Sequence, residues 1–374
     1  MTMKPVGIQS LAITLPRVVR TNDYYRENYP DAVAKAEQKN LAKVFSASQS
    51  TPNPTEFDQE MAKYLSDPFR GAVERRVLGP GESPLTLEYR AAFDALEAAN
   101  LAPSDIDLLI SASWLPEYYV APGNAVFLAR QFGVSCPAWN IESACSSGLV
   151  AFQTACALVQ TGQYRNVLVA LSSTNSRLAA ESDTLSWFLG DAGGAFVVSE
   201  LKSNQGILGA KVVNTADTCG VFVHEFEPTE QGDVRVCLRA GKTGSRPLRD
   251  TAGDLVRTCC QGAAAAAGVS LKDIDFFAFN TPLAWYSSLC VKALGIDPEQ
   301  TLNLFPKYGN LGLALPAVTL YHAAQSGNIR ENDLVLVYTV GSVSTAGAVV
   351  MRWGDVVLGP APAPSPSSVM PALV

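Results

Sequence analysis

AAFDALEAANLAPSDIDLLISASW (91–114) returns 168 positions later as GAAAAAGVSLKDIDFFAFNTP (262–282), with Asp105 matching Asp273. Each stretch reads as an Ala-rich helix, a short turn, an Asp-Ile-Asp and an apolar strand. Working outward, GQYRNVLVALSST (162–174) and GNIRENDLVLVYTVGS (327–342) match again at an offset of 165. A sustained internal offset is the signature of a duplicated chain. Strands alternate with helices in each half, which predicts an α/β fold with a mostly parallel sheet covered by helices. The halves are placed at 1–200 and 201–358, and GPAPAPSPSSVMPALV (359–374) reads as a Pro/Ala/Ser-rich tail, disordered or draped on the surface.

Composition narrows the function. Of the 374 residues, 48% are hydrophobic and 17% charged, so the chain has the means to bury large cores. A net charge of −7 argues against nucleic acid or an anionic membrane surface as partner and favours small-molecule chemistry. The eight cysteines form no C-x-x-C pair, and His224 and His322 are the chain's two histidines, so no metal site is expected. No leader-like start and no apolar run of membrane-spanning length occur, which predicts a cytoplasmic protein with reduced thiols.

One cysteine stands apart. WNIESACSSGLVAF (139–152) puts Cys145 at the head of an apolar helical run, and adding the repeat offset lands on Asn310 in KYGNLGLALPAVTLYHAAQSG (307–327), which opens a similar run. In a duplicated fold, equivalent helix N-termini converge at the pseudo-twofold axis, which brings a thiol and an amide to one point. A helix N-terminus favours the thiolate, so Cys145 is expected to have a lowered pKa. Cys156 lies mid-helix and reads as core.

These motifs resemble the 3-oxoacyl-[acyl-carrier-protein] synthase III group of the thiolase superfamily across residues 5–354. The opening strand and loop GIQSLAITLPRVVRTND (7–23), the arginine segment ERRVLGPGES (74–83) and the nucleophile motif ESACSSG (142–148) carry the resemblance in the first half. FLGDAGGAFVV (188–198), YGNLGLALP (308–316) and VGSVSTAGAVVMRW (340–353) complete it. The resemblance implies a thiolase fold, a duplicated five-layered α-β-α-β-α architecture with pseudo-twofold-related halves. It also implies a homodimer in which CPAWNIES (136–143) pairs across the axis, with a heterodimer with a second synthase as the other arrangement. Cys145 would carry an acyl group as a thioester from acyl-coenzyme A or an acyl-carrier protein, with coenzyme A or phosphopantetheine as carrier rather than cofactor. The backbone N–H groups of Cys145 and Ser342 would form the oxyanion hole, and Asn310 would donate its amide to the acceptor's thioester carbonyl.

One position departs from the pattern. The family's histidine follows the strand that here reads DIDFFAF (273–279), but this chain continues NTPLAWYSSLCVKALGI (280–296), with Asn280 in the histidine's place as a donor and Thr281 beside it as an expected substrate contact. Asn280 can donate a hydrogen bond but cannot accept a proton. Weak decarboxylation and retained acyl transfer to an acceptor, of the kind met in specialised metabolism, are therefore expected. A decarboxylative condensing enzyme and a non-catalytic subunit are the competing readings. His322 is expected on the outer side of its helix, while His224, in VFVHEFEP (221–228), sits where it could approach the pocket.

Three further features have two readings each. Glu117, in SWLPEYYVAPGNA (113–125), is an acidic helper facing a partner subunit's pocket or a solvated loop carboxylate. Arg235, Arg239, Lys242, Arg246, Arg249 and Arg257 form a pad for coenzyme A phosphates or an acidic carrier protein, with Arg246 and Arg249 at its centre, or a solvated basic face. The extra length between 24 and 73 covers the acyl entrance or extends a dimer contact. GDAGGA (190–195) lacks dinucleotide-binding spacing and reads as a tight turn near the site.

Overall fold

The computed structural model describes residues 4–47, 54–118, 121–228, 232, 234–242, 246–341 and 344–362. The repeated Asp-Ile-Asp does the same work twice. Asp105 Oδ2 accepts from Ala102 N at 2.8 Å and Asp273 Oδ2 from Ser270 N at 2.8 Å, each closing a single 3₁₀ turn. The second aspartate then pins the start of the next strand to its neighbour, Asp107 accepting from Arg165 N and Asn166 N, and Asp275 from Leu334 N. The helix before the first turn, Pro84–Ala98, is opened by reciprocal Ser83 and Thr86 bonds with Pro84 in its first turn.

These units build two sheets. The first runs Val357–Leu358, Val6–Thr14, Asp191–Glu200, Val167–Thr174, Leu108–Trp114, Ala138–Asn140 in spatial order. The second runs Phe276–Phe279, Leu334–Val340, Thr345–Arg352, Gly206–Asn214. The expected mostly parallel sheet is corrected to a mixed one. Val167–Thr174 pairs antiparallel with Asp191–Glu200, and Leu334–Val340 with Thr345–Arg352. The linking segments contain short turns but no crossover helix, so the chain doubles back instead of crossing the sheet. Val357–Leu358, counted by sequence with the second half, joins the first sheet beside Val6–Thr14. Gly359 continues that contact, donating to Leu11 O and accepting from the Tyr321 hydroxyl at 2.9 Å, so the tail's beginning is anchored; residues 363–374 lie outside the described residues.

Helices Ser147–Gln160 and Leu315–Gln325 lie between the sheets, and Pro84–Ala98 and Arg246–Ala266 cover the outer faces, giving five layers. Both central helices are apolar on nearly every side, as a helix sandwiched between sheets must be. They approach so closely that a Cβ added at Gly148 would meet Leu313 O at 2.9 Å. The extra segment supplies helices Pro30–Ala47 and Glu56–Ala62, the second packed on Arg246–Ala266 and Tyr286–Leu294. No described helix is long and apolar enough to cross a membrane.

Candidate active site

The residues flanking Cys145 explain its placement. Glu142 Oε1 accepts from Ala144 N at 2.7 Å, and Ala144 takes a left-handed turn (φ 50°) that presents Cys145 in a 3₁₀ turn just before helix Ser147–Gln160. Ser146 Oγ donates to Thr345 O at 2.7 Å and accepts from Thr339 Oγ1 and Gly341 N at 3.0 Å, tying the loop to the second sheet. Ser147 Oγ accepts from Ser143 N and donates to Ala144 O. The two serines of the motif are therefore scaffolding. Cys145 keeps part of its surface open, whereas Cys156 is buried.

The expected low thiol pKa is corrected. Burial pushes the Cys145 thiol up to about 11; its own backbone N–H favours the thiolate, and the Glu142 carboxylate opposes it. The helix begins two residues later, and loss of water is the largest influence on the thiol.

Asn310 meets Cys145 on one cavity of about 340 Å³. Its Oδ1 accepts from Gly312 N at 2.8 Å, while its backbone is held by Phe188 O, Gly190 N and Asn175 Nδ2. Among the described residues its Nδ2 has no acceptor. Asn280 does not join this pair. It is fully buried, and its Nδ2 donates to Cys145 O at 3.4 Å and Gly312 O at 3.1 Å, so its amide clasps the two site loops together. The expectation that Asn280 offers its donor to a substrate oxygen is corrected on that ground. Thr281, also buried, is absent from the cavity lining, which corrects its expected substrate contact. Ser342 lies outside the described residues.

The predicted basic pad is divided by its own ion pairs. Arg239 and Arg235 turn to Glu227, Arg249 to Asp58, and Arg257 to Glu56 at 3.0 Å. Arg246 is almost fully exposed and pairs with Asp250 at 3.3 Å, outside the cavity. Arg249 does line the cavity, where the inserted helix holds it. Glu117 does not line it; its backbone N–H donates to Asn124 Oδ1 at 3.0 Å and its Oε2 is buried without a partner.

Two groups for which the sequence left alternatives open do line the cavity. Phe57 and Met61 of helix Glu56–Ala62 form part of its wall, so the extra segment covers the site. His224 reaches it from the hairpin Phe222–Pro228/Val234–Ala240, its ring meeting the Trp114 indole edge-on at 4.8 Å between centroids. The period-two pattern Phe222, His224 was the available signal, because it sets the imidazole on the same face as an apolar ring. His322 bonds to the Tyr308 hydroxyl at 2.9 Å and does not line the cavity.

This arrangement matches a known family. The family description 3-oxoacyl-[acyl-carrier-protein (ACP)] synthase III matches residues 139–216, and its C-terminal counterpart matches 264–353. A β-ketoacyl-[acyl-carrier-protein] synthase III of Brucella abortus (strain S19) is 30% identical over 290 residues, 76% of this chain and 88% of that protein. The chain belongs to the 3-oxoacyl-[acyl-carrier-protein] synthase III family. Solved family structures share the fold. The enzyme of Aquifex aeolicus VF5 covers 93% of this chain over 100% of its own length at a TM-score of 0.72 and 22% identity. FabH of Pseudomonas aeruginosa PAO1 covers 95% and 100% at 0.76 and 17%. A variant of Xanthomonas campestris OleA covers 94% and 99% at 0.74 and 19%. The five layers are thus a thiolase fold, and in this synthase III family member Asn280 follows the strand where the resemblance implies histidine.

Proposed function

We propose that the protein loads an acyl group onto Cys145 from acyl-coenzyme A or an acyl-carrier protein and passes it to an acceptor nucleophile without decarboxylative condensation. The observation carrying this reading is that Cys145 and the open Asn310 amide share one apolar cavity while the Asn280 amide is engaged by two backbone carbonyls. Cys145 Sγ attacks the thioester carbon. The Cys145 N–H, with Ser342 N–H as the resemblance implies, receives the developing oxyanion, and Asn310 Nδ2 orients the incoming carbonyl. An enolate from malonyl decarboxylation would lack one donor, a loss of about 3–4 kcal/mol where such donors have been removed. The chain works in this reading as a cytoplasmic homodimer in specialised or fatty-acid-type biosynthesis, joined through the edge strand Ala138–Asn140, whose Trp139 is exposed.

Intact mass after incubation with acyl-coenzyme A and acyl-carrier-protein thioesters, malonyl forms included, tests this. The expected result is an adduct absent from Cys145→Ala and no carbon dioxide from malonyl donors. Carbon dioxide release with a condensed product would replace this reading with the condensing reaction named for the Brucella relative.

A further inference from the structure

Resting on that acyl-transfer reading, we infer that His224 is the general base of this site, taking over from the hairpin the proton transfer that Asn280 cannot perform. Three observations carry it. First, the cavity wall contains Cys145, Asn310, Arg249, Tyr286 and otherwise neutral side chains; His224 is its one described residue able to accept a proton near neutral pH. Second, neither imidazole nitrogen has a hydrogen-bond partner among the described residues, whereas the nitrogen of His322 is taken by Tyr308. Third, the ring is held edge-on against Trp114, lines the cavity and is at the same time exposed to solvent. Partial loss of water lowers the His224 pKa from its ordinary value, with Glu142 opposing, so the ring is neutral and basic at neutral pH.

The proton path balances in both half-reactions. On loading, the Cys145 Sγ–H proton moves to the imidazole across the cavity that both line as the Sγ–C bond forms. The donor's C–S bond breaks and the imidazolium returns the proton to the departing coenzyme A thiolate. On transfer, the imidazole takes the proton of an O–H or N–H acceptor as its bond to carbon forms. The C–Sγ bond breaks and the proton goes back to Sγ. A thiol pushed up by burial to about 11 holds little thiolate near neutrality, so a base that takes its proton speeds loading. Such a base suits a hydroxyl or amine acceptor, whose proton leaves as its bond to carbon forms.

The charged and titratable groups around His224 are Cys145 and Glu142 from the nucleophile loop. On its own hairpin are Glu225, one residue along and on the other face, and Glu227, paired with Arg235 and Arg239. Trp114 and the cross-strand neighbour Leu238 are uncharged. The test is the rate of Cys145 acylation by hexanoyl-coenzyme A, followed by quenched intact mass across pH, in wild type, His224→Gln and His224→Ala. The expected outcome is a wild-type rate rising through a single ionisation on the low side of the ordinary histidine value. His224→Gln should slow it by roughly 10²-fold and lose that limb, and added imidazole should restore His224→Ala. Variants that load at the wild-type rate with an unchanged profile overturn the assignment. Alkylation of Cys145 by iodoacetamide needs no acyl donor and separates the two ideas. If no donor loads the folded wild type, the acyl-transfer reading fails; His224 still stands if the alkylation rate has a near-neutral limb that His224→Gln removes, and falls if it has none.

Discussion

At the scale of single residues, Asn280 and Asn310 are two amides with opposite fates. Asn310 uses its oxygen and backbone to lock its own loop and leaves Nδ2 to the cavity, while Asn280 uses Nδ2 to join the Cys145 and Gly312 carbonyls. Asn280→Ala therefore removes a buried clasp, and both carbonyls lose a donor. The expected cost is about 1–3 kcal/mol of stability, read as a lower denaturation midpoint, with Cys145 still alkylated in the folded fraction. Full stability with Cys145 acylation abolished would instead make Asn280 a catalytic donor. Sequence spacing brought Cys145 and Asn310 together because both sit at duplicated helix starts. It could not show which atoms of Asn280 were already engaged, since that depends on two carbonyls 135 and 32 positions away.

At the scale of elements, the site is closed by two pieces outside the main sheets, the hairpin Phe222–Pro228/Val234–Ala240 and the helix Glu56–Ala62. Helix Glu56–Ala62 is opened by Thr55 and Asp58 in a reciprocal cap, and Asp58 and Glu56 also hold Arg249 and Arg257 of the long outer helix. Phe57 packs its ring edge on Trp285 at 5.9 Å. Asp58→Ala removes the carboxylate half of the reciprocal cap and the Arg249 pair together, while Thr55 Oγ1 still accepts from the residue-58 N–H, at a cost of about 0.5–1.5 kcal/mol from the lost bond to Thr55 N. We expect faster backbone hydrogen exchange across this helix and faster labelling of Cys145 by a bulky maleimide; unchanged labelling would show that the helix does not guard the cavity. The extra length and the basic residues were each legible in the sequence. Their mutual pairing was not, because ion pairs between segments nearly two hundred residues apart are decided by packing. For the same reason four of the six basic residues read as a pad for phosphates or a solvated face, Arg235, Arg239, Arg249 and Arg257, became clamps to Glu227, Asp58 and Glu56.

At the scale of the whole molecule, the duplicated sheets are sealed around buried carboxylates that make stability depend on pH. Glu88 lies fully buried beneath the first sheet, where its carboxylate accepts from Ser111, Ser113, Asn124 and Ser172; burial raises its pKa to about 7 even though these donors oppose the rise. Asp191, held by Ser176 and the Leu78 N–H, is raised by burial to about 6. The native chain therefore binds a proton at Glu88 where the unfolded chain, with a value near 4.5, has released it. Stability from this source is fully present below about 4.5 and is lost as pH rises through about 7. Asp191 contributes the same sign over the window from 3.8 to about 6. Glu88→Gln keeps the shape of the side chain and cannot titrate. Its unfolding free energy should lose the slope, at most about 1.4 kcal/mol per pH unit, that wild type has up to about 7, while the Asp191 slope below about 6 persists. Denaturant midpoints measured in buffers spanning acid to neutral pH decide this. Parallel curves for wild type and variant would mean that Glu88 stays ionised in the native state, its four donors outweighing burial.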